Sequence, residues 1–384
     1  MKIAFDISQT GNSKAGCGFY AASLIDELLK SASEHDFMLL TSFGDFFHDP
    51  AMASSSARYY DGVSYGPSLK SRSRAEFFWR NPEQVACLFE DIDVVHANNF
   101  WCPPTWGNGN EARPSLIYTV YDLSFAEHPE WTTEANRLGC FNGMFNASLH
   151  ADWFVAISEA TRQCFLHHFP HVDPSRVRLI YPASRFDRDD NRMLAKPPTH
   201  HIFRTGDPFF LSVGTIEPRK NQHFLVKAYG RYREAGGLPI PLVLAGGKGW
   251  LMEDFNAYLS SSPWSKDILL LGYVSEAELA WLYTHCRANL YPSHYEGFGL
   301  PVLEGMGMGA VTIASNLTSL PEIVGDAGLL LGSSDLEGWA EALSRVSKDE
   351  QFVRQLSVAA KVRSSLFSWA ASKDSLLSLY EQAS

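Results

Sequence analysis

The sequence predicts an α/β protein made of two doubly wound domains that face each other across a cleft. At about 150 residues per domain, 384 residues suffice for two separate cores. Short aliphatic or β-branched runs alternate with longer segments of helical periodicity, which is typical of parallel sheets with crossover helices. This pattern occurs once on each side of the polar stretch Arg185–His201, which carries two prolines and no apolar period.

Runs of four to six apolar residues bounded by turn formers suit strands that are buried on both faces. The predicted strands are 2–7, 37–41, 94–97, 116–120, 153–157 and 177–181 in the first half, and 209–213, 242–245, 268–271, 288–291, 312–314 and 328–331 in the second. We place the domains at 1–190 and 191–365, with a helix at 366–384 that crosses back to the first domain. Ligands of such sheets bind at the carboxyl ends of the strands.

Composition excludes several classes of protein. The net charge of −11 argues against a nucleic-acid partner, which requires a basic surface. Six scattered cysteines include no C-x-x-C pair, so we expect reduced and mostly buried thiols. The N-terminus MKIAFDISQT becomes polar after Phe5, unlike a signal peptide, and no apolar run approaches the roughly 18 residues that span a bilayer. We therefore expect a cytoplasmic protein.

One segment indicates peripheral contact with the inner face of the cytoplasmic membrane. Ser68–Arg80 carries four basic residues and one acidic residue beside three adjacent aromatic ones, Phe77, Phe78 and Trp79. Basic and aromatic residues together suit an anionic membrane surface or a lipid-diphosphate acceptor. The alternative is a solvated basic face above buried aromatic residues.

The stretch SHYEGFGLPVLEGMG follows the predicted strand 288–291 and places two carboxylates around a bendable turn. Gly299 can take a backbone shape closed to other residues, and the helix that starts near Pro301 presents free N–H groups that attract anions. Glu296 lies in the loop and Glu304 about one turn into the helix, where each is suited to accept hydrogen bonds from sugar hydroxyls. The alternative is a glutamate that merely complements the helix dipole.

A second motif, VGTIEPRKNQ, follows the predicted strand 209–213. It passes through Gly214 and Pro218 and places Arg219 and Lys220 at a helix start. Basic side chains are unfavourable there for the helix itself, so their position is explained by a bound anion such as a phosphate. The alternative is a solvated pair of basic residues.

A third motif, Gly16-Cys17-Gly18-Phe19-Tyr20-Ala21, matches the G-x-G-x-x-A fingerprint of dinucleotide sites. Its first glycine comes nine residues after Ile7, whereas that fingerprint requires glycines directly in the strand-to-helix turn. This placement excludes a nicotinamide oxidoreductase. We expect a glycine loop that reaches across the cleft toward a ligand; a plain flexible loop is the alternative.

Together, EGFGLPVLE, VGTIEPRKN, GYVSEAEL and the early G-x-G-F-Y resemble a retaining glycosyltransferase of family 4 with the two-domain GT-B fold, and especially bacterial polysaccharide mannosyltransferases. The resemblance spans nearly the whole chain. It implies a nucleotide sugar as donor and a growing glycan, lipid-linked or free, as acceptor, as in O-antigen synthesis.

The resemblance also implies a role for each matching residue. Glu296 would contact the donor sugar and Glu304 the ribose, while Arg219 and Lys220 would bind the diphosphate. The remaining donor-binding positions would be the backbone at Phe298, Gly299 and Leu300, the turn at Gly214, Val274 beside the base, and Gly16 and Gly18 over the phosphates.

In one place the sequence departs from the family, which usually has a His-Asp pair after the fourth strand. Here TVYDLSF supplies Tyr121-Asp122. A phenol can donate a hydrogen bond but is a poor base at neutral pH, so Tyr121 is either a substitute beside the reacting sugar or a packing residue.

Charge indicates the mechanism. A departing nucleoside diphosphate carries about two negative charges, and stabilising it is the largest available catalytic effect. Arg219 and Lys220 supply positive charge without a metal. Two D-x-D strings, Asp91-Ile92-Asp93 before a buried strand and Asp187-Arg188-Asp189 in the linker, are badly placed for a metal-bound diphosphate. We therefore expect no metal or other cofactor, and same-face transfer.

The sequence leaves two possible donors and one alternative to catalytic activity. GDP-mannose is the first choice and UDP-glucose the second, both from the resemblance alone. A catalytically weak protein of the same fold, acting as a glycan-binding or assembly partner, is the alternative to an enzyme, because Tyr121 stands where the family has histidine.

Overall fold

The computed structural model describes residues 1–11, 16–31, 34–44, 60, 63–69, 71–102, 113–187, 195–203 and 206–384. These residues form two compact units, the first comprising Met1–Pro182 and Trp369–Ser384 and the second Ala183–Ser368. The sequence-based boundary followed residue 190, whereas the structure divides the chain after Pro182. The reason is that Phe186 already packs into an apolar core of the second unit.

The first unit is built on a parallel sheet of seven strands, whose order is β3-β2-β1-β4-β5-β6-β7. All predicted strands of this half are present, with ends shifted by at most two residues. The strands are β1 (Lys2–Asp6), β2 (Asp36–Leu40), β3 (Ser64–Tyr65), β4 (Val94–Ala97), β5 (Ser115–Val120), β6 (Trp153–Ala156) and β7 (Val177–Leu179). Strand β3 was not predicted, because two residues are too few to show a pattern.

Helices connect these strands and bury an apolar stripe against the sheet. They are α1 (Gly16–Ser31), α2 (Arg72–Trp79), α3 (Pro82–Leu88), α4 (Ser124–Glu127), α5 (Glu134–His150) and α6 (Glu159–His168). In α1 the stripe has the 3.6-residue period of an amphipathic helix, and its members are at most 1% exposed: Tyr20, Ala21, Leu24, Ile25 and Leu28.

The second unit is built on a parallel sheet of six strands in the order β10-β9-β8-β11-β12-β13. The strands are β8 (Phe210–Val213), β9 (Leu242–Ala245), β10 (Ile268–Gly272), β11 (Ala288–Tyr291), β12 (Thr312–Ser315) and β13 (Leu329–Leu331). Each corresponds to a predicted strand. The helices are α7 (Gln222–Glu234), α8 (Glu253–Ser261), α9 (Glu276–His285), α10 (Leu300–Met308), α11 (Leu320–Val324), α12 (Leu336–Lys348) and α13 (Glu350–Ser364).

The last helix, α14 (Trp369–Ala383), belongs to the first unit. Its Trp369 ring lies 5.9 Å from the Tyr20 ring of α1. Its Tyr380 hydroxyl lies 2.6 Å from Nδ1 of His96, which is fully buried on β4. Burial of these aromatic side chains holds the end of the chain against the first sheet.

Among the helices of the described ranges, none combines the length and apolar character that crossing a bilayer requires. Both sheets reverse their strand order once, between β1 and β4 in the first and between β8 and β11 in the second. Open α/β sheets bind ligands beyond the carboxyl ends of the strands at such a reversal.

Candidate functional site

The loops that follow β8 and β11 meet at the reversal point of the second sheet. The backbone N–H of His294 donates to the carbonyl of Arg219 at 2.9 Å. Nδ2 of Asn221 donates to the carbonyls of Pro292, at 3.1 Å, and of Ser333, at 3.0 Å. These bonds place the two motifs singled out in the sequence, 213–222 and 293–307, side by side.

Backbone geometry explains how the first loop presents its basic residues. Gly214 has φ +145°, and a Cβ there would lie 3.6 Å from Cε of Lys220, so the lysine stem passes close above the glycine. Pro218–Lys220 form a 3₁₀ turn, and Asn221 has φ 57° before α7 begins. Arg219 and Lys220 therefore precede the α-helix. The sequence had suggested instead that they lie at its start.

Arg219, Lys220 and Glu296 form one ion-pair cluster. Nζ of Lys220 lies 2.7 Å from Oε1 of Glu296, and Nη1 of Arg219 lies 3.1 Å from Oε2 of the same carboxylate. The other Arg219 nitrogen, Nη2, binds Glu217 at 2.7 Å. Lys220 also donates to the Tyr291 hydroxyl at 2.6 Å. Two cations and two carboxylates thus share the cluster, and their formal charges cancel.

Burial determines the electrostatics of this cluster. It lowers the pKa of Lys220, against the opposing charge of Glu296. It also tends to raise the pKa of Glu296, but the charges and hydrogen bonds of Lys220 and Arg219 outweigh burial and hold that pKa below its usual value. Glu296 is therefore a carboxylate at neutral pH, an acceptor that can receive hydrogen bonds but has no proton to give.

The residues after Glu296 form a tight turn into α10. Gly299 has φ 107° and a Cβ there would lie 2.8 Å from Leu320, so only glycine fits. The Ser319 hydroxyl fixes the turn by donating to the carbonyls of Phe298, at 2.7 Å, and Glu296, at 2.9 Å. At the start of α10, Pro301 has no N–H group, and the N–H groups of Val302 and Leu303 already donate to the carbonyl of Gly299, at 2.9 and 3.2 Å. An anion at this turn would therefore accept hydrogen bonds from the preceding N–H groups, those of Gly299 and Leu300.

Glu304 lies one turn into α10 and is fully buried in a second cluster. Its Oε1 accepts a hydrogen bond from Nε of Arg185 at 2.6 Å, and its Oε2 accepts one from the Tyr283 hydroxyl at 3.2 Å. Burial raises the pKa of Glu304 although the charge of Arg185 opposes this effect. Val274 is half-buried and packs into the same apolar core as Tyr283. The sequence analysis assigned Glu304 and Val274 to the donor site, which stays a prediction, and it did not name Arg185 or Tyr283.

Tyr121 and Asp122 belong to the first unit and are both engaged within it. The buried Tyr121 hydroxyl donates to the carbonyl of Asn98 at 3.0 Å, and burial raises its pKa well above 10. Asp122 accepts hydrogen bonds from the N–H and hydroxyl of Ser124, at 3.0 and 2.9 Å, at the start of α4. Whether either residue contacts a substrate stays a prediction.

A buried polar network at the reversal point of the first sheet has no counterpart in the sequence analysis. Asp6 ends β1 and accepts N–H bonds from Ser8, at 2.8 Å, and Asn98, at 3.1 Å. Thr119 donates to Asn98 at 3.0 Å and lies 2.8 Å from Nε2 of His96. Burial raises the pKa of Asp6 from 3.8 to about 7. The signal available in the sequence was a polar residue at the end of each of three buried strands.

The expectation for Gly16 and Gly18 has to be corrected in one respect. Both lie in the first turn of α1 and not in a loop. Gly16 is exposed with open space around it, whereas Gly18 is buried. The preceding residues 12–15 lie outside those that the structure describes.

The two D-x-D strings have different outcomes. Asp91 and Asp93 lie at the amino end of β4, opposite to the edge where ligands bind, and both contact Lys2. In the second string, residues 188 and 189 lie outside the described ranges.

The basic and aromatic segment 68–80 is only partly a surface. Phe77 is 68% exposed on α2, but Trp79 is 2% exposed and Phe78 packs against the core. Arg74 and Arg80 are exposed. Lys70 and the side chain of Arg72 lie outside the described residues. The expectation of three aromatic residues at one surface is therefore reduced to one.

The cysteines also differ from expectation. The six cysteines, all within the described residues, form no disulfide, as predicted, but only Cys102 and Cys140 are buried, while Cys87 is exposed. Their helices and loops leave the other thiols partly accessible.

Two family models match the chain. The model described as "Glycosyl transferases group 1" matches residues 198–363, and "Glycosyltransferase Family 4" matches residues 15–187. The chain is 34% identical over 381 residues to "O-antigen chain mannosyltransferase B" of Escherichia coli, covering 96% of each protein. It is also 36% identical over 166 residues to the serotype-specific mannosyltransferase WbdA of the same organism, but those residues are 43% of this chain and 20% of that protein.

Solved structures show the same fold. Sucrose-phosphate synthase from Thermosynechococcus elongatus matches with a TM-score of 0.69 at 21% identity, covering 100% of this chain and 98% of that one. Anabaena HepE, solved in complex with UDP-glucose, matches with a TM-score of 0.71 at 16% identity over 100% of both chains. WaaG, a glycosyltransferase of lipopolysaccharide biosynthesis, matches with a TM-score of 0.68 at 13% identity, covering 100% of this chain and 99% of that one. At these identities the likeness shows the two-unit GT-B fold alone.

Proposed function

Because the chain belongs to glycosyltransferase family 4, we propose that it transfers mannose from GDP-mannose to a hydroxyl of a growing surface glycan. That the chain is a glycosyltransferase using a nucleotide sugar follows from its family. The choice of mannose is supported by the similarity of the chain to two proteins named as mannosyltransferases, one of the O-antigen chain and one serotype-specific. UDP-glucose remains the alternative donor.

The observation that carries the proposal is the convergence of Arg219 and Lys220 with the loop that leads into α10. Both cations follow β8, both contact Glu296, and Glu296 precedes the N-terminus of α10 by four residues. A diphosphate lying here would accept hydrogen bonds from Arg219 and Lys220 and from the backbone N–H groups of Gly299 and Leu300 at the start of α10. Glu296, once released by the cations, would accept hydrogen bonds from hydroxyls of the sugar.

The proposed reaction breaks the bond between the anomeric carbon and the phosphate oxygen. The bonding electrons leave with the diphosphate, and Arg219 and Lys220 stabilise the charge that develops there. The acceptor oxygen forms the new bond on the same face of the sugar, and its proton passes to the departing phosphate oxygen. In this arrangement Glu217 stays bound to Nη2 of Arg219 and Glu296 is engaged by the hydroxyls of the sugar, so neither carboxylate of the cluster is assigned the role of a covalent nucleophile. Same-face transfer is therefore preferred to double displacement.

No metal is required in this proposal because the two cations supply the positive charge that a metal would otherwise provide. The test is transfer in the presence and absence of a chelator. We expect equal rates, and a strict requirement for Mn²⁺ or Mg²⁺ would contradict this part of the proposal.

Glu304 is proposed to accept hydrogen bonds from the ribose, with Val274 beside the base. The support is that Arg185 and Tyr283 hold the carboxylate of Glu304 in a fixed position one turn after the site of the diphosphate. A fixed acceptor loses little freedom when a ribose binds.

Peripheral membrane contact through α2 is proposed from Phe77, which is 68% exposed between the exposed Arg74 and Arg80. An exposed aromatic residue flanked by cations suits an anionic lipid surface. Sedimentation with anionic liposomes tests it: Phe77→Ser should reduce binding while Phe141→Ser, an exposed phenylalanine on α5, serves as the control. No sedimentation of the parent protein with anionic liposomes would end this idea.

The decisive experiment for the function starts with a thermal-shift screen against GDP, UDP and ADP. A nucleotide that binds only the folded chain adds about 2.7 kcal/mol at a hundredfold excess over its dissociation constant. Transfer from the matching nucleotide sugar is then compared between the parent, Arg219→Ala and Arg231→Ala. Arg231 is the control because it forms an exposed pair with Glu337 on the same unit.

We expect the Arg219 variant to lose about 10²–10³ in turnover and the Arg231 variant to retain the parental rate. Near-normal turnover of a folded Arg219→Ala would refute the site. Nucleotide binding without any turnover or hydrolysis of a nucleotide sugar would instead support the alternative, a glycan-binding partner.

A further inference from the structure

Glu127, Cys164 and His168 form a cluster in the first unit that none of the family motifs includes. Glu127 ends α4, while Cys164 and His168 lie four residues apart on α6 and so on one face of that helix. Nε2 of His168 is hydrogen-bonded to Oε1 of Glu127, and Sγ of Cys164 lies 3.8 Å from the same oxygen. The three ligand atoms all lie within 4.8 Å of one another.

We propose that these three side chains bind one transition-metal ion, most favourably Zn²⁺. Thiolate sulfur, imidazole nitrogen and carboxylate oxygen are the ligands that zinc takes in proteins, with bonds of about 2.0–2.3 Å. In a tetrahedron with such bonds the ligand atoms lie roughly 3.3–3.8 Å apart. The separation of 3.8 Å between Sγ of Cys164 and Oε1 of Glu127 lies at the upper end of this range. The hydrogen-bonded atoms of His168 and Glu127 are closer together than the range, so this contact opens slightly when the ion enters. The fourth position is left to water.

Exposure favours entry of the ion. The side chains of His168 and Glu127 are 29% and 37% exposed, which leaves a path from solvent. The thiol of Cys164 loses its proton to solvent on binding, which is the usual coupling between metal affinity and pH.

The ion would join α4 to α6. Helix α4 begins at Ser124, two residues after Asp122, and has only four residues and no side-chain cap. Bonds from one ion to both helices would restrict the motion of the segment that follows Tyr121 and Asp122. The ion is structural in this account, because the proposed diphosphate residues belong to the other unit.

The test uses the full chain after removal of bound metal with a chelator. Co²⁺ accepts the same tetrahedral ligands as Zn²⁺ and shows a thiolate-to-cobalt charge-transfer band. We expect one equivalent of Co²⁺ to produce this band and Zn²⁺ to displace it. Cys164→Ser should abolish the band, and His168→Ala should weaken Co²⁺ affinity by at least about tenfold.

Cys87→Ser is the matched control, because Cys87 is an exposed thiol on α3 outside the cluster and its loss should leave the band unchanged. Far-ultraviolet circular dichroism shows whether each variant is folded, and Glu127→Gln provides a second variant of the cluster with a smaller change. Absence of the band in the parent chain, or a band that persists in Cys164→Ser, would overturn the proposal. Neither result bears on the glycosyltransferase site, since all three residues lie outside it.

Discussion

Nζ of Lys220 lies 2.7 Å from Oε1 of Glu296, a contact that joins the two signature motifs of the second unit. One residue follows β8 and the other follows β11, so the contact depends on these strands being neighbours in the sheet. In this ion pair the carboxylate of Glu296 is bound to Lys220, the cation that is proposed to bind phosphate. A diphosphate therefore has to replace the carboxylate, and the exchange releases Glu296 toward the sugar.

Glu296→Gln separates binding from transfer. The amide keeps the shape of the side chain but removes the negative charge that competes with phosphate for Lys220 and Arg219. We expect the affinity for the nucleoside diphosphate to be retained or raised, while kcat falls at least about tenfold because a weaker acceptor faces the sugar hydroxyls. Titration calorimetry and steady-state transfer measure the two quantities.

The control for this variant is Glu337→Gln, which removes an exposed carboxylate of the same unit. It should change neither quantity. Loss of nucleotide affinity in a folded Glu296→Gln would show that the carboxylate supports the diphosphate site instead of competing with it.

Arg185→Ala tests the second cluster through stability. Glu304 is 1% exposed and Arg185 16% exposed, so removing the arginine leaves a buried carboxylate without its cation. Breaking a buried pair in this way typically costs about 3–5 kcal/mol. Urea unfolding should show a loss of this order, and the double variant Arg185→Ala, Glu304→Gln should recover part of it.

If the double variant is less stable than Arg185→Ala alone, the charge of Glu304 is not the source of the loss. Nucleotide affinity adds an independent measurement, since a displaced Glu304 should also weaken binding of a ribonucleotide relative to its 2′,3′-dideoxy analogue.

Asp6→Asn tests the buried network of the first unit through pH. Burial raises the pKa of Asp6 from 3.8 to about 7, so the folded chain retains a proton that the unfolded chain releases. As pH rises from about 4 to about 7, this residue contributes progressively less stability, at about 1.4 kcal/mol per pKa unit. The stability of Asp6→Asn relative to the parent should therefore increase with pH over this window.

Urea midpoints at pH 4.5, 6 and 8 measure the difference. A difference between Asp6→Asn and the parent that is constant with pH would contradict the assignment.

Tyr121→Phe tests the residue that stands where the family usually has histidine. Its hydroxyl is occupied by the carbonyl of Asn98, and its raised pKa excludes a role as base at neutral pH. We expect a loss of about 1 kcal/mol in stability, typical of one buried hydrogen bond, and a fall in kcat of less than about tenfold. A fall comparable to that of Arg219→Ala would place the phenol at the reacting sugar.

Much of the fold could be predicted because internal strands of both sheets, such as β4, β9, β11 and β12, are buried on both faces. Such strands appear as short aliphatic runs, and the two reversal points follow from the order of the runs and the loops after them. Strand β3 could not be found because two residues carry no period. The start of α1 was missed because two glycines suggested a loop, whereas the helix already begins at Gly16.

The residues of the candidate site were also predicted only in part. Arg219, Lys220 and Glu296 lie in local motifs whose turn residues are visible in the sequence. Arg185 could not be predicted, since its partner Glu304 is 119 positions away and Arg185 itself begins a polar stretch that resembles a linker. Asp6 was not singled out because a carboxylate at the end of an apolar run indicates only that the strand ends. Its burial depends on contacts such as that with Asn98, which directly follows β4 and is distant in sequence.

The central claim is that Lys220 and Arg219 bind the diphosphate of the donor. It is tested most directly by titration calorimetry of GDP and GMP, or of UDP and UMP if the thermal-shift screen selects uridine, against the parent and Lys220→Met. We expect the parent to bind the diphosphate at least about tenfold more tightly than the monophosphate, and Lys220→Met to lose most of this ratio while its affinity for the monophosphate changes little. An unchanged ratio in a folded Lys220→Met would contradict it.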